Sequence, residues 1–228
     1  HEIFLYNLYP GPSAKKGIYG VLLNIGEQEK WLTLHASAVK VITPYENVTK
    51  ILHEGASGGG KSEMLEYPHR QADGRLLVGT NKITDEKIYM GLRRGCTLNP
   101  VADDMALALP ELQNGTDKLV VADAENAWFV RLDHIEKYNT DPHLENLCIH
   151  PKIPLIYLNL EGVPGATCLI WEHTTDENDN PCPNPRVILP RKLVPNIVDE
   201  PVKIDYRTFG IRAPFCSKDK PTYGIFGI

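Results

Sequence analysis

The octet Gly55-Ala56-Ser57-Gly58-Gly59-Gly60-Lys61-Ser62 constrains this chain more than any other segment. It follows the pattern G-x-x-x-x-G-K-[ST]. Its glycines let the backbone wrap closely and turn successive N–H groups toward one anion. A loop of this kind belongs between a strand and a helix, because the helix N-terminus adds partial positive charge. The flanks agree. The run Val48-Thr49-Lys50-Ile51-Leu52 precedes it as a strand should, and Ser62-Glu63-Met64-Leu65-Glu66 follows with helix-forming residues. Pro68 disfavours helix at Tyr67, so that helix is short. In this register Lys61 reaches the β- and γ-phosphates of a nucleotide, and the Ser62 hydroxyl ligates Mg²⁺.

Eighteen glycines and eighteen prolines cut the rest of the chain into short apolar runs. The runs lie at 20–25, 31–42, 48–52, 76–78, 118–122, 127–132, 155–160, 167–171 and 186–189. Their length and their Val, Ile and aromatic content predict strands. Residues 174–185 are polar and read as a surface loop, and the tail from Pro190 reads as irregular. The expectation is a strand-rich α/β domain with a mixed sheet and few short helices. At 228 residues the chain is long enough to bury a core as a single domain, 1–228. It opens on His1 and ends on an apolar segment, which suggests a piece of a longer protein whose remaining regions are partners.

Net charge and cysteine usage narrow the function classes. A charge of −5 argues against nucleic-acid binding by a basic surface. No apolar run is long enough for a transmembrane helix, so no membrane partner is expected. Five scattered cysteines without a C-x-x-C pair argue against a disulfide framework or zinc ribbon. His143, His150, His173, Cys148, Cys168 and Cys182 have no metal-ligand spacing and read as structural. With no signal peptide visible, the expected compartment is the cytoplasm. Trp128 and Trp171 lie in apolar runs and are expected in the core.

Three segments in order carry a resemblance: Lys15-Lys16-Gly17-Ile18-Tyr19, then His35-Ala36-Ser37-Ala38, then the glycine-rich octet. Together they resemble ATP-using phosphoenolpyruvate carboxykinase, and the Lys16 to His35 interval matches that family. The octet with Glu63 and the later Val101-Ala102-Asp103-Asp104 also resembles the bacterial HPr kinase/phosphorylase. The resemblance implies a carboxykinase-like P-loop domain, close to an uncharacterised bacterial group with such a core. It also implies that Lys16 and His35 ligate a divalent metal, typically Mn²⁺. Imidazole suits such an ion, and a lysine can ligate only once deprotonated.

Both families carry an Asp-Asp pair after the loop, one aspartate serving the nucleotide's Mg²⁺ and the other a second metal or the role of base. Asp103 and Asp104 are the candidates. They stand more than forty residues beyond Lys61, farther than in either family, and the nearer strand ends in Thr80-Asn81. Either 74–99 is an insertion, the favoured reading, or the pair at 103–104 is a decoy. Glu125 and Arg131 match the ends of a carboxykinase substrate segment whose Gly-Gly-Cys middle is absent here. Asn184-Pro185-Arg186-Val187 resembles the segment whose arginine contacts the transferring phosphoryl group.

The implied activity is metal-dependent transfer of phosphate from ATP, or another nucleoside triphosphate, to an unassigned acceptor. That acceptor is a small carboxylic acid, as in the carboxykinases, or a protein hydroxyl. Mg²⁺ is expected at Ser62 and Asp103, and a second ion at Lys16, His35 and Asp104. Lys61, Arg131 and Arg186 are expected to stabilise charge during in-line transfer. The rival reading is a nucleotide-binding sensor or degenerate enzyme without turnover.

Overall fold

The computed structural model describes residues 2, 4, 12–55, 61–65, 73–91, 93–115, 117–132, 135, 139–158 and 185–210. The loop positions 56–60, the run 167–171 and the polar stretch 174–184 lie outside them. The chain divides into two compact units. One is His1–Leu22 with Asn126–Val194, the other Leu23–Glu125 with Pro195–Ile228. The described residues are strand-rich, with two α-helices and several small sheets.

The larger unit holds two four-stranded sheets. One has the order β1 (Leu32–Leu34), β7 (Ala106–Ala108), β8 (Val120–Asp123), β12 (Val202–Lys203). The other has the order β13 (Tyr206–Gly210), β3 (Val48–Gly55), β2 (Ala36–Ile42), β6 (Thr97–Ala102). Within the second sheet β13 runs parallel to β3 and the other pairs are antiparallel. Leu34, Ala36, Ala38, Leu52, Val101, Ala106, Val121 and Ile204 form one buried core supplied by both sheets. The small alanines let the backbones approach. A hairpin of β4 (Arg75–Thr80) and β5 (Lys87–Gly91) forms its own two-stranded sheet between β3 and β6 in sequence.

The smaller unit packs α2 (Pro142–Ile149) on a sheet of β10 (Ile156–Leu158), β11 (Arg186–Pro190) and β9 (Ala127–Arg131). Asp141 caps α2 by accepting from Leu144 N–H at 3.0 Å, and Pro142 stands at the first turn, where its missing N–H costs nothing. Glu145 accepts from the N–H groups of Asn139 and Asp141. Burial pushes the Cys148 thiol on this helix up to about 11, which keeps it protonated and inert. Trp128 is buried as expected.

Three expectations need correction. The run 20–25 is not a strand but part of helix α1 (Pro12–Glu29). Its Val21-Leu22-Leu23 triplet mimics a strand, yet Ala14, Lys15 and Lys16 before it and Glu27, Gln28 and Glu29 after it are strong helix formers. The run 31–42 is two strands broken at His35. The tail beyond Pro190 is not irregular throughout, since it supplies β12 and β13. No helix among the described residues is long and apolar enough to cross a membrane.

Candidate functional site

Among the described residues the chain passes from one large sheet to the other at three places, and two of them, β1 to β2 and β6 to β7, bring polar residues together. His35 alone separates β1 from β2. Asp103, Asp104 and Met105 separate β6 from β7. Leu34 pairs with Ala106 on one side of this crossing, and Ala38 pairs with Ala102 on the other. The two connections are therefore neighbours by topology. β3 ends beside them, where Gly55 N–H donates to the His35 carbonyl at 3.3 Å. The glycine-rich loop thus leaves its strand at the crossing.

Lys61 returns to the same place. Its Nζ lies 3.1 Å from Asp104 Oδ1 and 3.3 Å from His35 Nε2, and His35 Nε2 lies 3.1 Å from the same Asp104 oxygen. The lysine side chain is only 5% exposed and that of Asp104 18%. Ser37, fully buried on β2, donates its hydroxyl to the Lys61 carbonyl at 2.9 Å. Met64 N–H donates to the same carbonyl at 3.2 Å, opening the single 3₁₀ turn Ser62–Leu65. The short helix expected from Pro68 is this one turn. Asp103 is buried beside Asp104, and Ser62 is exposed. Of the octet, Gly55, Lys61 and Ser62 are described, while Ala56, Ser57, Gly58, Gly59 and Gly60 lie outside the described residues.

The acidic pair beside the loop lysine is the one at 103–104. Thr80 ends β4, and Asn81 shapes the hairpin turn by accepting from Ile83 and Thr84 N–H groups. The hairpin occupies much of the sequence between Lys61 and Asp103.

Among the described residues, no three His, Cys, Asp or Glu side chains are grouped closely enough to hold a metal ion. The pair His35 Nε2 and Asp104 Oδ1 nonetheless fits an open site. Two donors at right angles about an ion with bonds of about 2.1 Å lie about 3 Å apart, close to their 3.1 Å. Such ions complete their shell with phosphate oxygens and water.

The remaining candidates lie in the smaller unit. Arg131 and Arg186 are direct cross-strand partners on β9 and β11. Like charges opposite each other repel unless an anion or carbonyl intervenes, and Arg186 Nη1 donates to the Phe129 carbonyl at 2.9 Å. Strand alternation puts Phe129 on the same face as Arg131. Lys15 Nζ from α1 lies 4.7 Å from the Phe129 ring centre. Lys16 is exposed, its Nζ 5.9 Å from the Tyr19 ring centre. This face therefore gathers Lys15, Arg131 and Arg186. Sequence reasoning missed Ser37 as the anchor of Lys61. Its place two residues after His35, on a strand adjoining the loop strand, was the available signal.

No curated protein matches the chain. A family profile described as a domain of unknown function (DUF4914) matches residues 1–228 in full, and the chain belongs to that family.

Proposed function

We propose that this chain is a nucleotide-binding core of the carboxykinase and HPr kinase kind, which transfers a phosphoryl group from ATP or another nucleoside triphosphate with divalent metal assistance. One observation carries the reading: Lys61, His35 and Asp104 meet within 3.3 Å at the end of the strand that leads into the glycine-rich loop. The three come from separate motifs, spread over much of the larger unit's sequence. A glycine-rich surface turn gives no reason for its lysine to be buried against a carboxylate. The strand-rich architecture is compatible with a carboxykinase-like P-loop fold.

In this reading the loop amides and Lys61 bind the β- and γ-phosphates. His35 and Asp104 present a nitrogen and an oxygen to a cation, with Asp103 and Ser62 serving the nucleotide's own Mg²⁺. A bound divalent ion neutralises charge on the phosphate oxygens. The resemblance implies metal ligation by Lys16 and charge stabilisation by Arg131 and Arg186, and all three belong to the smaller unit. The side-by-side arginines suit an anionic group. The acceptor is a small carboxylic acid or a protein hydroxyl.

Calorimetric titration of ATP in the presence of Mn²⁺ or Mg²⁺ tests the reading. The wild-type chain binds, and Lys61→Ala weakens binding about tenfold or more, the worth of a charge-assisted contact. Unchanged affinity in that variant removes the assignment. Phosphate release with candidate acceptors then separates transfer from a sensor that binds without turnover.

A further inference from the structure

We propose that the β4–β5 hairpin is a docking arm whose receptor is an apolar cleft on a second copy of this chain, the two copies exchanging arms in a closed dimer. The inference is independent of the nucleotide reading. Two places in the larger unit carry it. On the hairpin, Leu77, Val78, Ile83, Ile88 and Met90 are each between 41% and 58% exposed. The ribbon is apolar on both faces: Ile88 and Met90 share one side of β5, while Leu77 pairs with Tyr89 on the other. Among the described residues β4 and β5 pair only with each other. A ribbon of two strands is marginal in water, and its exposed apolar groups mark a surface that needs a cover.

The second place is a cleft of about 450 Å³ between the end of α1, the start of β1 and the 3₁₀ turn Pro110–Leu112. Trp31, Leu32, Ala108, Pro110 and Leu119 give it apolar walls, and Leu32 is 53% exposed. None of its lining residues comes from the hairpin. One chain thus carries both an apolar projection and an apolar recess large enough to receive several side chains. A projection that fits a recess elsewhere on the same molecule joins copies, and a reciprocal pair of such contacts closes the assembly. Charge selects the occupant. Residues 75–94 hold five cations and two anions, in a chain whose net charge is −5. Two such hairpins repel each other, which disfavours arm-on-arm pairing. An anionic lipid surface would meet Asp85 and Glu86 at the turn and would strand the open backbone edges. The cleft offers an opposite charge for each sign: exposed Glu27 for Lys82 or Lys87, and exposed Lys30 for Asp85 or Glu86. A relative with a shorter hairpin is expected to lack the contact.

Sedimentation of the full chain over about a hundredfold range of concentration reads the assembly. Twice the chain mass is expected, and a monomer throughout overturns the proposal. Ile88→Thr with Met90→Thr, and separately Leu32→Lys, are each expected to weaken the dimer about tenfold or more. All three sites are exposed, so the circular-dichroism spectrum should not change. An equal mixture of the two variants should associate more tightly than either alone, because one intact arm then faces one intact cleft. A mixture no tighter than its components overturns the arm-in-cleft geometry. A dimer untouched by the arm variant overturns the proposal, and so does a dimer lost in that variant but kept in Leu32→Lys, which would mean that arms meet each other. Wild-type chain that stays monomeric and is held on phosphatidylserine vesicles through Ile88 and Met90 reassigns the arm to lipid. Should either variant lose its native spectrum, Lys82→Glu with Lys87→Glu decides: the dimer weakens about tenfold at low salt, and an unchanged dimer overturns the arm.

Discussion

Ser37 carries no charge, yet it holds Lys61 in place. Its hydroxyl is buried and reaches the Lys61 carbonyl from the strand beside the loop strand. Ser37→Ala removes one donor to that carbonyl and leaves the one from Met64. The expected cost is about 1–2 kcal/mol of stability, seen as a lower melting temperature, with ATP affinity falling several-fold because Lys61 loses its anchor. Unaltered affinity in a folded variant would show that the turn positions Lys61 unaided. At this scale the sequence was legible. Lys61, His35 and Asp104 could each be picked from a motif. Their meeting could not, because it depends on two sheet-to-sheet connections that no local pattern reveals.

Helix α1 and the strand after it are joined by a tight fit. The helix ends through Lys30 in the left-handed region at φ 67°, and Trp31 then folds back over Gly26. A Cβ on Gly26 would stand 2.7 Å from Trp31 Cδ1 and Nε1 and 3.0 Å from its carbonyl oxygen. The ring is also tied by its N–H to the Thr33 hydroxyl at 3.2 Å. Gly26→Ala is therefore expected to destabilise the fold by about 1–3 kcal/mol, despite Ala being the better helix former. Urea denaturation measures it, and a stabilised variant would mean that the indole moves aside freely. Elements were legible where β-rich runs are short and isolated, as in β3, β8, β9 and β11. α1 was hidden by an apolar triplet. β13 was hidden because its pairing is parallel and distant, secured by Asp205 accepting from Lys50 N–H across most of the chain length.

Two groups in the larger unit make stability fall with falling pH, each in its own window. Burial holds His53, on β3, below its ordinary value of 6.5. The unfolded chain takes up that proton first as pH drops, so stability declines below about pH 6.5 and levels off beneath the folded value. The urea midpoint should fall between pH 7 and 5, and His53→Gln should fall less. An equal fall in both proteins would assign the effect to other groups. Asp205 acts in a lower window. The Lys118 ammonium beside it, helped by Lys50 N–H, holds its carboxyl below 3.8. Its contribution is present above that value and disappears as pH falls through the lowered one. Being near the surface, it is screened by salt.

The single-residue connection at His35 also governs how the chain tolerates changes in length. Side chains alternate between faces along a strand, so one residue added there would invert β2, exchanging the face of Ala36 and Ala38 with that of Ser37 and Val39 and taking Ser37 away from Lys61. The β4–β5 hairpin bears no such restriction, for it pairs with itself and can be extended or trimmed while its ends stay put. Homologues of this chain should accordingly vary in length within 74–96 and keep a constant count at 35 and at 103–105.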